Sequence, residues 1–127
     1  MTDPTFHNPS LKIDLSYLQN LGGNDPEFLK ASLEALQDEV PAEICGIQAS
    51  WEKADYASVS RQAHGLKGSF QMLGLSTWEA IAQWLEKDFD HQAIESRQQA
   101  EQFISMLGDS LPELISRIAA EAALTSS

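Results

Sequence analysis

The chemistry available to this chain concentrates around His64, in the run Arg61-Gln62-Ala63-His64-Gly65-Leu66-Lys67-Gly68-Ser69-Phe70-Gln71-Met72-Leu73-Gly74-Leu75. A neutral imidazole is a nucleophile near neutral pH, because its unperturbed pKa is about 6.5. Val59, Ala63, Leu66, Phe70 and Leu73 recur at helical spacing, which predicts one helix with a buried stripe. At roughly 100° per residue, His64 stands about 140° from Val59, off that stripe. Lys67, Gly68 and Gln71 follow at i+3, i+4 and i+7 on the face of His64, and Arg61 precedes it at i−3. The two mid-helix glycines, Gly65 and Gly68, each cost about 1 kcal/mol relative to alanine. Access is the compensation: with no side chain at Gly68, another molecule can come close to the imidazole.

Each of these residues has an ordinary structural reading when taken alone. A lone helical histidine is most often solvated or hydrogen-bonded without chemistry, and a lysine at i+3 is usually surface charge. A mid-helix glycine can serve tight helix packing. The combination is more specific. His64-Gly65-Leu66-Lys67-Gly68-Ser69, followed by Leu73-Gly74-Leu75, resembles the H-x-L-K-G-S…L-G signature of histidine-containing phosphotransfer (HPt) domains. The resemblance runs over roughly residues 11–120 and includes the Gly22-Gly23-Asn24-Asp25 entry to a long helix and the Leu85-Glu86 pair after the motif.

What the resemblance implies is a phosphorelay intermediate. His64 would accept a phosphoryl group from an aspartate on one response-regulator receiver domain and pass it to an aspartate on another, with a hybrid sensor kinase among the partners. Attack by Nε2 on an acyl phosphate gives an N-phosphoryl imidazole, and such transfer asks the protein mainly for positioning and charge neutralisation. Lys67 is the candidate to offset charge on the phosphoryl oxygens. Glu86 is the candidate to accept a hydrogen bond from Nδ1–H, which keeps Nε2 free. The family often carries glutamine at that position, so glutamate is a departure; the competing reading is an exposed helix acid beside Lys87. Arg61, Gly68, Gln71 and Lys87 complete the expected partner-binding face, which should be neutral or basic. Ser69 is expected to support local hydrogen bonding. The alternative reading of the whole is a helical-bundle adaptor that docks a receiver or kinase without carrying phosphate.

No P-loop, kinase-type glycine loop or carboxylate cluster is present, nor ligand spacing such as H-E-x-x-H or C-x-x-C. The phosphate should therefore originate elsewhere, with no metal or other cofactor expected on this chain and Mg²⁺ expected on the partner receiver domain. Nineteen acidic against eight basic residues give a net charge of −11, which argues against nucleic acid and anionic membranes as partners. The 127 residues fit a single domain, 1–127, with an ordered bundle over about 11–120 and loose termini. No signal peptide or 18-residue apolar run occurs, so a cytoplasmic, monomeric protein is expected. Cys45, alone and in an apolar helical stretch, is expected in the core.

The elements that must position the site are helical throughout. Ile13, Leu15, Leu18 and Leu21 predict a short first helix ending at Gly22-Gly23. Asn24 or Asp25 caps a second helix whose stripe is Leu29, Leu33, Leu36, Val40, Ile44, Ile47 and Trp51, with Pro41 bending it. Asp55 caps the helix of His64, which ends at Gly74. Ser76 and Glu79 read as a capping box for a fourth helix burying Trp78, Ile81, Ala82, Leu85 and Phe89, with Trp84 at its edge. The last helix turns Ala93, Ile94, Ala100, Ile104, Leu107, Leu111, Leu114 and Ile118 inward, with a kink or a new start at Ser110. The fold expected is all-α: an antiparallel up-down four-helix bundle with a short extra N-terminal helix.

Overall fold

The computed structural model describes residues 9–125, and the described residues contain helices and no strand. The elements are α1 (Ser16–Leu21), α2 (Pro26–Glu52), α3 (Tyr56–Met72), α4 (Ser76–Gln83) and α5 (Ile94–Thr125). A π-helical turn, Trp84–Asp88, continues α4 directly. The loose termini expected from the sequence lie, at residues 1–8 and 126–127, outside the described residues.

Local chemistry accounts for most of the boundaries. Asp25 caps α2 by accepting from the Glu27 amide at 3.0 Å, with Pro26 opening the helix, where a missing N–H costs nothing. Asp55 caps α3 by accepting from the Ser58 amide at 3.2 Å. Gly74 closes α3 in the left-handed region at φ 68°. A Cβ there would also stand 2.5 Å from the Asp14 carbonyl oxygen, so glycine is required twice over.

The start of α4 departs from expectation. Ser76 and Glu79 form no capping box; the cap position is Leu75, which makes no side-chain cap hydrogen bond. Leu75 is buried, and its amide bonds back to the Phe70 carbonyl. Burying a leucine gains about 1.5–3 kcal/mol, against about 1 kcal/mol for a side-chain cap. Burial therefore sets the boundary.

The apolar stripes meet in one core. Leu33, Leu36, Val40, Ile44 and Ile47 of α2 are buried with Val59, Ala63, Leu66 and Phe70 of α3, and α5 adds Ala100, Ile104, Leu107, Leu114 and Ile118. α2 packs against both α3 and α5, while α3 packs against α4 and the π-helical turn. Trp84 lies at the core edge, its ring 5.3 Å from Phe103 and 6.1 Å from Phe89.

Several sequence expectations are corrected. Cys45 is exposed: it follows Ile44 by one residue, a 100° step off the α2 stripe. Ile94 opens α5 at 63% exposure, ahead of the point where that helix meets the core. Ile13 and Leu15 pack on the core from the segment before α1, not from the helix, and Leu21 is exposed. α5 has no new start at Ser110; it passes unbroken through Pro112, with Ser110 Oγ donating to the Leu107 carbonyl at 2.7 Å. Helix also includes Ala123–Thr125, where fraying was expected. At the other end, Pro9 and Ser10 are tied down, because the Trp78 indole donates to their carbonyls at 3.3 and 3.2 Å.

Candidate functional site

Three side chains from two elements converge beside the solvent-facing side of α3. His64 projects at 68% side-chain exposure, and its Nδ1 lies 2.6 Å from Glu86 Oε2. Lys67, one turn along, donates from Nζ to Glu86 Oε1 at 2.7 Å. Both oxygens of one carboxylate are thus engaged, one by each residue of the His64–Lys67 pair. Glu86 itself is only 15% exposed in its side chain, and Lys67 22%. Partial shielding from water strengthens such contacts relative to an open surface pair.

The placement follows from two helix registers. His64 and Lys67 are at i and i+3 on α3, so both side chains reach the same neighbour. That neighbour is the π-helical turn, which packs on α3 and carries Glu86 in its middle. The π register, with the Phe89 amide bonded to the Trp84 carbonyl five residues back, was not visible in the sequence. Glu86 faces His64 and Lys67, not Lys87, whose side chain is exposed at the end of the turn.

Electrostatics fix the direction of the hydrogen bonds. The Lys67 hydrogen bond holds the Glu86 carboxyl below its ordinary value; partial desolvation opposes this, and the His64 hydrogen bond adds to the lowering. An ionised carboxylate has no proton to donate, so a neutral His64 must place its proton on Nδ1. Nε2 then carries the lone pair, on a side chain that is 68% exposed. Such an arrangement leaves Nε2 able to act as a nucleophile.

The remaining expected residues divide. A Cβ at Gly68 would meet nothing within 4 Å, so the space beside His64 is open there. Gln71 is exposed on the same helix. Arg61 is not brought to His64: its Nη2 donates to Ser58 Oγ at 2.7 Å, and Ser58 in turn bonds Asp55 at the helix start. A nearer partner has captured the guanidinium.

Sequence reasoning missed Glu43. This α2 residue accepts from the buried Ser69 hydroxyl at 2.8 Å, across the seam between α2 and α3. A Cβ at Gly65 would stand 2.6 Å from Glu43 Oε2, so the glycine makes room for that carboxylate. Ser69 therefore bonds mainly across helices, its contact with the Gly65 carbonyl being longer at 3.4 Å. Burial pushes the Glu43 carboxyl above its ordinary range, against the lowering effect of the Ser69 bond, and nearby Glu39 pushes it further up. The available signal was the spacing of Gly65 and Ser69, four apart and flanking the core stripe, opposite a carboxylate between Val40 and Ile44.

With this geometry in hand, comparison with known proteins gives one family: that described as the Hpt domain, matched over residues 31–122, more than half of the chain. Those residues include the whole of α3, α4 and the π-helical turn. No curated protein and no solved structure gives a match.

Proposed function

Because the chain belongs to the Hpt domain family, whose members take part in histidine phosphotransfer in two-component phosphorelays, we propose that His64 is the phosphoacceptor of a relay between receiver-domain aspartates. In the accepting step, the Nε2 lone pair attacks the phosphorus of an aspartyl phosphate. The N–P bond forms, the O–P bond breaks, and the aspartate leaves as carboxylate. The ring becomes a cation with its proton still on Nδ1, facing the Glu86 carboxylate. In the donating step the same electrons return to Nε2, and a second receiver's aspartate takes the phosphoryl group. No proton has to move on the ring in either direction.

The observation that supports this reading best is the Glu86 bridge, at 2.6 Å to His64 and 2.7 Å to Lys67. It supplies tautomer control and a charge partner at one place. Lys67 is then the cation that turns from Glu86 to the phosphoryl oxygens as they arrive, and Gly68 leaves the approach clear. Mg²⁺ belongs to the partner receiver domain in this scheme, and Gln71, Lys87 and Arg61 belong to the rim of the docking face. The arrangement of α2 to α5 is that of an antiparallel four-helix bundle, a reading supported by the three-residue connections 53–55 and 73–75. The protein acts as a single monomeric domain in the cytoplasm.

Incubation of the full chain with a phosphorylated receiver domain should place acid-labile phosphate on His64, and His64→Gln should carry none. Retained label in His64→Gln refutes the assignment. An unlabelled wild type that still binds the receivers favours the adaptor reading.

A further inference from the structure

Glu86 can engage both His64 and Lys67 only if its backbone is held at one height against α3. The π-helical turn ends at Asp88, and Phe89 is extended at φ −68°, ψ 123°. The carbonyls of the last turn therefore have no helical partner further along the chain. The Glu86 carbonyl finds one on α3: Ser60 Oγ donates to it at 2.8 Å in a partly buried contact. Ser60 lies four residues before His64, and so on its face. Ser60, His64 and Lys67 thus grip one residue at three atoms, the carbonyl oxygen and the two carboxylate oxygens.

We propose that Ser60 is a positioning residue of this site, fixing the Glu86 backbone so that its carboxylate meets Nδ1 of His64. A carboxylate on an untethered helix end samples several rotamers and heights, and each departure frees Nδ1 to exchange its proton with Nε2. One additional hydrogen bond at the backbone narrows that sampling without touching the imidazole. The consequence for phosphotransfer rests on the reading of His64 as phosphoacceptor; the tautomer consequence belongs to the resting protein and does not.

The experiment is ¹⁵N NMR of the histidine side chains in the full-length chain, at a pH where the ring is neutral, for wild type, Ser60→Ala, Ser60→Thr and Glu86→Ala. Alanine is the best helix former, so Ser60→Ala keeps α3 intact, and its thermal midpoint is recorded alongside. The Nδ1–H tautomer of His64 should dominate in wild type, fall in Glu86→Ala, fall by a smaller amount in Ser60→Ala, and return in Ser60→Thr, which restores the hydroxyl. In a phosphotransfer assay Ser60→Ala should be slower by about fivefold, the worth of one ordinary hydrogen bond. A wild-type tautomer ratio in Ser60→Ala overturns the proposal, and so does a loss that Ser60→Thr fails to restore. If wild type takes no phosphate, the relay reading fails, while the tautomer ratios still decide the role of Ser60.

Discussion

Substitution of the two glycines beside His64 separates access from packing, because the structure gives them opposite surroundings. At Gly68 an added Cβ meets no atom within 4 Å, and the backbone is ordinary helix. Gly68→Ala should gain about 1 kcal/mol from helix propensity alone. In a domain of 127 residues that corresponds to a rise of about 3–5 °C in Tm. At Gly65 the same Cβ would stand 2.6 Å from Glu43 Oε2, so the carboxylate must swing away from Ser69. The propensity gain of about 1 kcal/mol is then offset by a lost hydrogen bond of about the same worth, and Tm should stay level or fall. Function should divide differently. Helical side chains lean toward the preceding turn, so a glutamine at position 68 leans over His64 at i−4. In-line transfer needs reacting atoms about 3–3.5 Å apart, and a displacement of about 1 Å costs on the order of 100-fold. Gly68→Gln should therefore slow phosphotransfer by about 100-fold, while Gly68→Ala, with one methyl group, stays within about threefold of wild type. The assay is transfer of ³²P from a phosphorylated receiver domain by rapid quench, with thermal unfolding by circular dichroism on the same preparations. Equal transfer rates for Gly68→Gln and Gly68→Ala, or a destabilised Gly68→Ala, would refute the access argument.

The other predictions concern charge. Lys67→Ala should cut the phosphotransfer rate far more than it weakens receiver binding measured by calorimetry, because its charge matters most while the phosphoryl group is between the two sites; equal losses would make Lys67 a docking residue. Glu86 and Glu43 should leave opposite signatures in stability against pH. The Glu86 carboxyl is lowered from 4.5, so its contribution is present above that value and lost as pH falls through the folded value; Glu86→Gln should destabilise near neutral pH and converge on wild type in acid. The Glu43 carboxyl is raised from 4.5, so its contribution is present in acid and lost as pH rises through the folded value. Urea titrations should accordingly show Glu43→Gln improving relative to wild type as pH increases from about 4 to 7, and a parallel pH dependence of the two would contradict this.

The sequence by itself determined most of the helices, the core stripes and the solvent-facing position of His64, because each rests on short-range periodicity. Apolar residues at helical spacing must share a face, so Val59, Ala63, Leu66 and Phe70 were legible as core and His64 as off-core before any packing was known. The side-chain cap of α3 at Asp55 was legible for the same local reason, while that of α2 was narrowed to Asn24 or Asp25, of which Asp25 serves. Where a local signal competed with burial at the start of α4, burial won, and the Ser76 capping box yielded to Leu75; Cys45 is exposed despite its apolar neighbours, as its place one residue off the α2 stripe already indicated. What only the tertiary structure decided is which acid faces which base. Glu43 and Glu86 are both helical glutamates flanked by leucine or isoleucine within a turn, yet one lies against Ser69 and Gly65 and the other against His64 and Lys67. Arg61, at a spacing that pointed to His64, was taken by Ser58. That contact lies within α3, but the pairings of Glu43 and Glu86 depend on the rotation and height of one helix against another, and for Glu86 on a π-helical turn anchored by Ser60. Those are set by the packing of the whole core, since no stretch of sequence short enough to read by periodicity contains both partners.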